Sequence, residues 1–249
     1  MDSVQAVQES EYAFPYHYLP RVERGSFRWW PYWSWGYKYL AGIEVVLDAI
    51  RKRPMTSLVD VGCGDGRFLR EVASRYPGAR LLGVDHSDGA IHLARALNPQ
   101  LQYCALDITA AGSIGTFDFV TLIEVLEHVP PAGLANFVSA LRGLMHQGSV
   151  LIVTVPHRNQ ALIPKHYQHF DRTSLQHAFG NGFEFESVFF FDMRSAIVRL
   201  WERVLFNKYF VVRHQRLLDF MYRRYLEKYL HCDESACLRM GAIVRRSPQ

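Results

Sequence analysis

Between Leu58 and Val155 the chain alternates short apolar runs with stretches of helical period, and no other feature constrains its fold as strongly. The runs are Leu58 to Val61, Leu81 to Val84, Leu101 to Ala105, Phe117 to Ile123 and Ser149 to Val155. They have strand length and lack the polar alternation of a half-exposed strand, so they read as strands buried on both faces of a parallel sheet. Helices fit the gaps. The clearest carries Leu134, Phe137, Val138, Leu141 and Met145 at three- and four-residue spacing, entered after Pro130 and Pro131 and left before Gly148. Another opens with Thr173 and Gln176 at capping-box spacing. Phe183 to Phe191 and Leu238 to Val244 read as two more strands, and the helical stretch between them, Ser195 to Leu230, divides near Lys208 or Arg213. A helix from about Ser34 to Ile50 precedes the first strand.

A chain of 249 residues is long enough for one α/β core with appendages. Its 49% hydrophobic and 21% charged residues exclude bulk disorder, a collagen-like chain and a disulfide scaffold. The first eleven residues carry acids and glutamines with no basic or apolar region of a secretory signal, and no run approaches a membrane span. Cys63, Cys104, Cys232 and Cys237 form no CxxC pair, which argues against structural zinc and fits a reducing cytoplasm. A cytoplasmic location is therefore expected.

The first strand runs into Val59-Asp60-Val61-Gly62-Cys63-Gly64-Asp65-Gly66-Arg67, three alternating glycines at a strand-to-helix turn. Glycine there lets the backbone turn tightly and lets a ligand approach it. Arg67 stands where a dinucleotide loop would place its third glycine, and no Lys-Ser/Thr follows as in a P-loop. Asp60, just before the turn, would oppose a pyrophosphate but suits an ammonium or sulfonium group. Asp85 ends the second strand, where a carboxylate can accept bonds from both ribose hydroxyls. Asp107 follows the third strand and can take an adenine amine while Ile108 packs on the ring. One such acid alone reads more simply as a turn former or cap. Three in order, at the carboxyl ends of successive strands, face one ligand crevice.

These residues resemble the class I S-adenosylmethionine-dependent methyltransferases, through Val-Asp-Val-Gly-Cys-Gly-Asp-Gly at 59 to 66, Gly-Val-Asp at 83 to 85, Leu-Asp-Ile at 106 to 108 and Phe-Asp-Phe-Val at 117 to 120. The likeness covers roughly residues 55 to 192. It implies a Rossmann-like, doubly wound, seven-stranded and mostly parallel sheet whose last strand, Leu238 to Val244, inserts antiparallel beside Phe183 to Phe191. It also implies that Gly62 and Gly64 approach the methionine part of S-adenosylmethionine, that Asp85 binds the ribose and that Asp107 and Ile108 hold the adenine. Asp60, His86 and Ile123 complete the expected cofactor set.

The fourth strand runs into Glu124-Val125-Leu126-Glu127-His128-Val129-Pro130. If the chain turns helical at Glu124, then Glu124, Glu127 and His128 share one face toward the crevice. In one reading they are catalytic, with His128 as a general base that takes a proton from a substrate hydroxyl. In another, Glu124, Glu127, His128 and His169 bind a divalent cation such as Mg²⁺ that orients the hydroxyl. In a third they only cap the turn. The Glu-x-x-Glu-His pattern with a further histidine resembles the metal site of small-RNA 3′-terminal 2′-O-methyltransferases, and is similar to segments of ubiquinone-type small-molecule O-methyltransferases. The loop carrying His166 and His169 follows the fifth strand and can return to the crevice, so both join the substrate-binding candidates.

Both chain ends stand apart in composition. Twelve aromatics fall between Tyr12 and Tyr39, and Trp29, Trp33 and Trp35 are candidates for a lid over a flat or greasy substrate. Packing on the sheet edge or a homodimer face would use the same residues. From Met193 onward twelve Lys/Arg face five Asp/Glu, whereas the preceding residues carry an acidic surplus. There, Leu218, Met221, Tyr222, Tyr225 and Tyr229 make an apolar stripe flanked by Arg216, Arg223, Arg224 and Lys228, which suits an ordinary packed helix or a peripheral membrane contact. The expected organisation is an aromatic lid and helix over 1–54, a cofactor-binding core over 55–192, a basic helical insert over 193–236 and a final strand over 237–249. The expected activity is methyl transfer from S-adenosylmethionine to a small or lipid-like acceptor at a hydroxyl oxygen. Nucleic acid is disfavoured because only the insert is basic. The alternatives are a metal-dependent RNA 2′-O-methyltransferase and a non-catalytic binding protein of the same fold.

Overall fold

In the computed structural model, the described residues are 5–6, 21–23, 26–28, 33–110, 112, 114–205, 209 and 214–247. A short antiparallel ribbon, β1 (Arg21–Glu23) and β2 (Ser26–Arg28), precedes helix α1 (Trp33–Arg51). Then come β3 (Ser57–Val61), α2 (Arg67–Arg75), β4 (Arg80–Asp85), α3 (Asp88–Leu97), β5 (Gln102–Ala105), β6 (Phe117–Ile123), α4 (Leu134–Gly143) and β7 (Met145–Pro156). The chain continues through α5 (Arg172–Phe179), β8 (Phe183–Met193), α6 (Ala196–Leu205), α7 (Gln215–Lys228) and β9 (Cys237–Arg246).

Seven strands form one sheet in the order β5-β4-β3-β6-β7-β9-β8. The first five pair in parallel, and β9 inserts antiparallel between β7 and β8. This is the expected doubly wound sheet, with its reversal of direction at the expected strand. Successive residues alternate between two cores, as the two-residue period of a strand requires. Leu58, Phe119, Val150 and Ile152 pack against α1, α2 and α3 through Leu47, Leu69 and Ile91. Val59, Val120, Leu151 and Val153 pack against α4 and α5 through Leu141, Leu175 and Phe179. Apolar residues on both faces of one run are therefore what the unalternating strands recorded.

Three local expectations need correction. Met145 does not close the α4 stripe; it opens β7, fully buried and paired with Phe117. The cap of α5 lies earlier than Thr173: Asp171 accepts from the Ser174 amide at 2.7 Å while the Ser174 hydroxyl meets the Asp171 amide at 2.9 Å. Glu124 does not begin a helix, because its φ is +55° and only the single turn Leu126–His128 follows. The basic stretch does divide into two helices, and all four cysteines are free thiols.

A third, smaller core ties the chain's beginning to its end. Tyr37, Ala41 and Val45 of α1 pack with Phe191 of β8, Val198 of α6, Tyr225 of α7 and Leu230. The Tyr37 and Tyr225 rings meet edge to face at 4.7 Å. Among the described residues, no helix is long and apolar enough to cross a membrane.

Candidate active site

At the carboxyl edge of the parallel strands lies a cavity of about 740 Å³, a volume suited to a small-molecule site. Its first wall is the glycine turn. Gly62, Gly64 and Gly66 all have positive φ, from 53° to 75°, where a side chain is strained. The Gly62 and Cys63 amides donate to the Val84 carbonyl at 2.8 and 3.1 Å, which pins the turn to β4. From the end of β4, buried Asp85 accepts from the Gly64 amide and the Ser87 amide, both at 3.0 Å. One carboxylate thus fixes the turn and the entry to α3, where Ser87 is the N-cap.

Asp60 is buried beside it and accepts from the Thr121 hydroxyl at 2.7 Å. Burial pushes its carboxyl up to about 7; the Thr121 hydrogen bond opposes the rise and the Asp85 charge adds to it. His86 lines the cavity with Nδ1 at 3.5 Å from Asp85, and Ile123 lines it from the end of β6. Asp107 lines it too, accepting from the Thr109 amide and hydroxyl at 2.8 Å. Its neighbour Ile108 leans instead on the core.

The opposite wall is built by the turn after β6. The Glu124 amide donates to the Thr154 carbonyl at 2.9 Å, and the left-handed backbone at Glu124 then redirects the chain. This turns Glu124 toward Thr154 and Arg239, away from the face expected to unite it with Glu127 and His128. Glu127 is 1% exposed, and among the described residues its Oε2 has no hydrogen-bond partner. Burial, reinforced by Glu124, holds its carboxyl well above the usual range.

His128 places Nδ1 at 2.8 Å from the Lys165 carbonyl. A carbonyl only accepts, so Nδ1 carries the proton and Nε2 of the neutral ring has a lone pair, 3.9 Å from Glu127 Oε1. The same logic orders the next two rings. His169 Nδ1 lies 3.3 Å from the Gln160 carbonyl and donates to it, which leaves its Nε2 to accept from His166 Nδ1 at 2.8 Å. His166 Nε2 therefore also has a lone pair. Burial, with His128 and His169 adding to it, pulls His166 down to about 3, so the ring is neutral at physiological pH.

Ligand atoms of Glu127, His128 and His166 lie within 4.8 Å of one another. The expected metal set of Glu124, Glu127, His128 and His169 is thus corrected at two positions: Glu124 is turned aside by its positive φ, and His169 is buried behind His166, which takes its place. His166 lines the cavity. Trp29 lies outside the described residues; Trp33 and Trp35 lie in the first turn of α1, their side chains outside the described part.

The sequence reading missed the far end of the cavity, lined by Lys38, Thr154, Asp192 and Arg239. Arg239 donates to the Lys38 carbonyl at 2.8 Å, with Nε 3.5 Å from Asp192, and Tyr225 donates to Asp192 at 2.8 Å. Asp192, like Glu124, has a positive φ, at 62°. The signal was available: Asp192 ends the Phe189-Phe190-Phe191 run as Asp85 ends its own strand, and Arg239 is a cation inside an apolar strand.

A family model described as "Methyltransferase domain" matches residues 32–231. The ubiquinone biosynthesis O-methyltransferase of Burkholderia pseudomallei (strain 1710b) is 29% identical over 153 residues, covering 57% of this chain and 64% of that protein. The tRNA (carboxymethyluridine(34)-5-O)-methyltransferase of Saccharomyces cerevisiae is 36% identical over 86 residues, 34% of this chain and 29% of that one. The chain thus spans less than two thirds of the length of these curated relatives. Among solved structures, magnesium protoporphyrin IX methyltransferase from Synechocystis PCC 6803 with bound S-adenosylmethionine superposes at a TM-score of 0.59 and 17% identity, covering 99% of this chain and 98% of that one. Sheet order, glycine turn and family match agree: the chain belongs to the methyltransferase domain family and has the class I fold of S-adenosylmethionine-dependent methyltransferases.

Proposed function

We propose that this protein transfers a methyl group from S-adenosylmethionine to a hydroxyl oxygen of a small or lipid-like acceptor. The residues fit the cofactor: positive-φ glycines open the backbone to a ligand, and buried Asp60 and Asp85 complement a cationic, ribose-bearing molecule. Asp60, Gly62 and Gly64 would hold the methionine part, Asp85 and His86 the ribose, and Asp107 and Ile123 the adenine side. The bound cofactor supplies an electrophilic methyl carbon. The protein's task is then to orient the acceptor and take up its proton.

The observation that carries the reading is His128: its Nδ1 is fixed as a donor by the Lys165 carbonyl, so its Nε2 is the basic nitrogen of a ring that lines the same cavity as the glycine turn. When the acceptor oxygen takes the methyl group, His128 Nε2 would take up its hydroxyl proton. His128→Gln should leave S-adenosylhomocysteine affinity unchanged while lowering turnover by about 10²–10⁴-fold. Unchanged turnover would remove the base assignment.

The clustering of Glu127, His128 and His166 favours a second reading, in which a divalent cation orients the hydroxyl. Two imidazoles and one carboxylate suit Mn²⁺, Fe²⁺ or Zn²⁺ better than the Mg²⁺ named from sequence. Turnover unaffected by a chelator would discard it. An RNA acceptor belongs with this reading and predicts a steep fall in activity with salt.

A further inference from the structure

Helices α6 and α7 each turn one face inward and leave a second apolar face in solvent. In α6, Val198 and Leu205 are buried, whereas Ile197, Leu200 and Val204 are 51%, 58% and 53% exposed. At 3.6 residues per turn these three fall within an arc of about 60°. In α7, Met221 and Tyr225 are buried, whereas Leu217 and Phe220 are 41% and 58% exposed. Six of the nine large apolar residues exposed in the described chain lie between positions 197 and 220. That concentration is not the scatter expected of a globular surface.

The charges around these faces are mostly positive, with Glu227 of α7 the acid among them. Arg199 and Arg203 flank the α6 arc on one side. On α7, Arg224 projects between Leu217 and Phe220, with Arg216 and Lys228 beside them. Glu202, the acid of α6, is turned inward to Tyr37 at 2.8 Å and Lys38 at 3.0 Å. A second copy docking through the same face would set these arginines against one another. RNA would satisfy the cations and could stack a base on Phe220, but not the four aliphatic side chains Ile197, Leu200, Val204 and Leu217, which offer no stacking surface. An anionic bilayer satisfies both, taking apolar side chains at the headgroup boundary and arginines at the phosphates.

We propose that α6 and α7 form a docking face for an anionic lipid bilayer. Through Glu202 and Lys38 that face adjoins the far end of the cavity, which Lys38 lines. The docking deepens the lipid-like acceptor reading, because a membrane-borne acceptor would reach the cavity from this side, but binding itself is testable without it.

The test is cosedimentation of the full chain with phosphatidylcholine vesicles containing about 30% phosphatidylglycerol, compared with phosphatidylcholine alone. Leu200→Asp/Phe220→Asp and Arg223→Glu/Arg224→Glu are compared with the unmodified chain, and calorimetry with S-adenosylhomocysteine checks the fold of each. Expected are binding to the anionic vesicles only, its weakening by salt, and an apparent affinity at least tenfold lower in both variants at unchanged S-adenosylhomocysteine affinity. The proposal is overturned by absent vesicle binding in a chain that still binds S-adenosylhomocysteine, by variants that bind as well as the original, or by a salt-stable dimer that Leu200→Asp dissociates. Vesicle binding without S-adenosylhomocysteine binding would instead remove the methyltransferase reading and leave the docking face standing.

Discussion

Asp60 couples the cofactor half of the cavity to pH. Buried under Asp85 and the glycine turn, it titrates near 7 in the fold, against about 3.9 in an unfolded chain. Below about pH 4 both states hold the proton and the site is neutral to stability. Between about 4 and 7 the unfolded chain has lost its proton while the folded chain keeps it, so stability falls as pH rises, and the loss is complete above about 7. Ligand binding has the opposite sign. An ammonium or sulfonium group favours the ionised carboxylate, so affinity for S-adenosylhomocysteine should rise with pH and level off above about 7. Calorimetric titrations across this range should show the rise in the unmodified chain and a flat profile in Asp60→Asn. A slope that persists in Asp60→Asn would place the titrating group elsewhere.

Among the elements, the turn from β3 to α2 and the turn after β6 are fitted to one another. A Cβ at Gly62 would lie 2.4 Å from Val125 Cγ2, on backbone whose φ of +74° already disfavours one. Gly62→Ala should therefore cost about 1–3 kcal/mol in denaturant unfolding. Adding Val125→Ala should recover the steric share and leave the backbone share, a partial rescue. Full rescue would mean that the left-handed conformation costs nothing. This contact crosses between strands, and that is why it was invisible in the sequence. The strands, their parallel order, the Asp60, Asp85 and Asp107 series and the split of the basic stretch were all legible, because periodicity and strand-end chemistry are local signals. The reversal at Glu124 was not, because a three- and four-residue spacing describes a helix only where the backbone is helical. Asp192 and Arg239 were missed because strand insertion brings β9 against β7, and their charges then meet α1 from far along the chain.

For the molecule as a whole, the two walls of the cavity belong to different parts of the architecture. The cofactor wall rests on the parallel half of the sheet and its two main cores, so a ligand there should stabilise the entire fold by mass action. At about 100 times its dissociation constant, S-adenosylhomocysteine should add roughly 2.7 kcal/mol, read as a rise in melting temperature. Asp85→Ala, which removes the carboxylate joining the Gly64 and Ser87 amides, should abolish most of that rise. A rise of the original size would show that Asp85 does not bind the ligand.

The far end, lined by Lys38, Asp192 and Arg239, rests instead on the third core, where Tyr37 meets Tyr225 and Lys38 meets Glu202 and Asp192. Residues far apart in the chain must therefore change together if that end of the cavity is to be reshaped. A graft of α1 from a relative would arrive without the α6 and α7 surface it was shaped against, and a graft of α6 and α7 alone would meet the wrong α1. The three helices thus form one packing unit, and an exchange that keeps them together should leave the two main cores undisturbed.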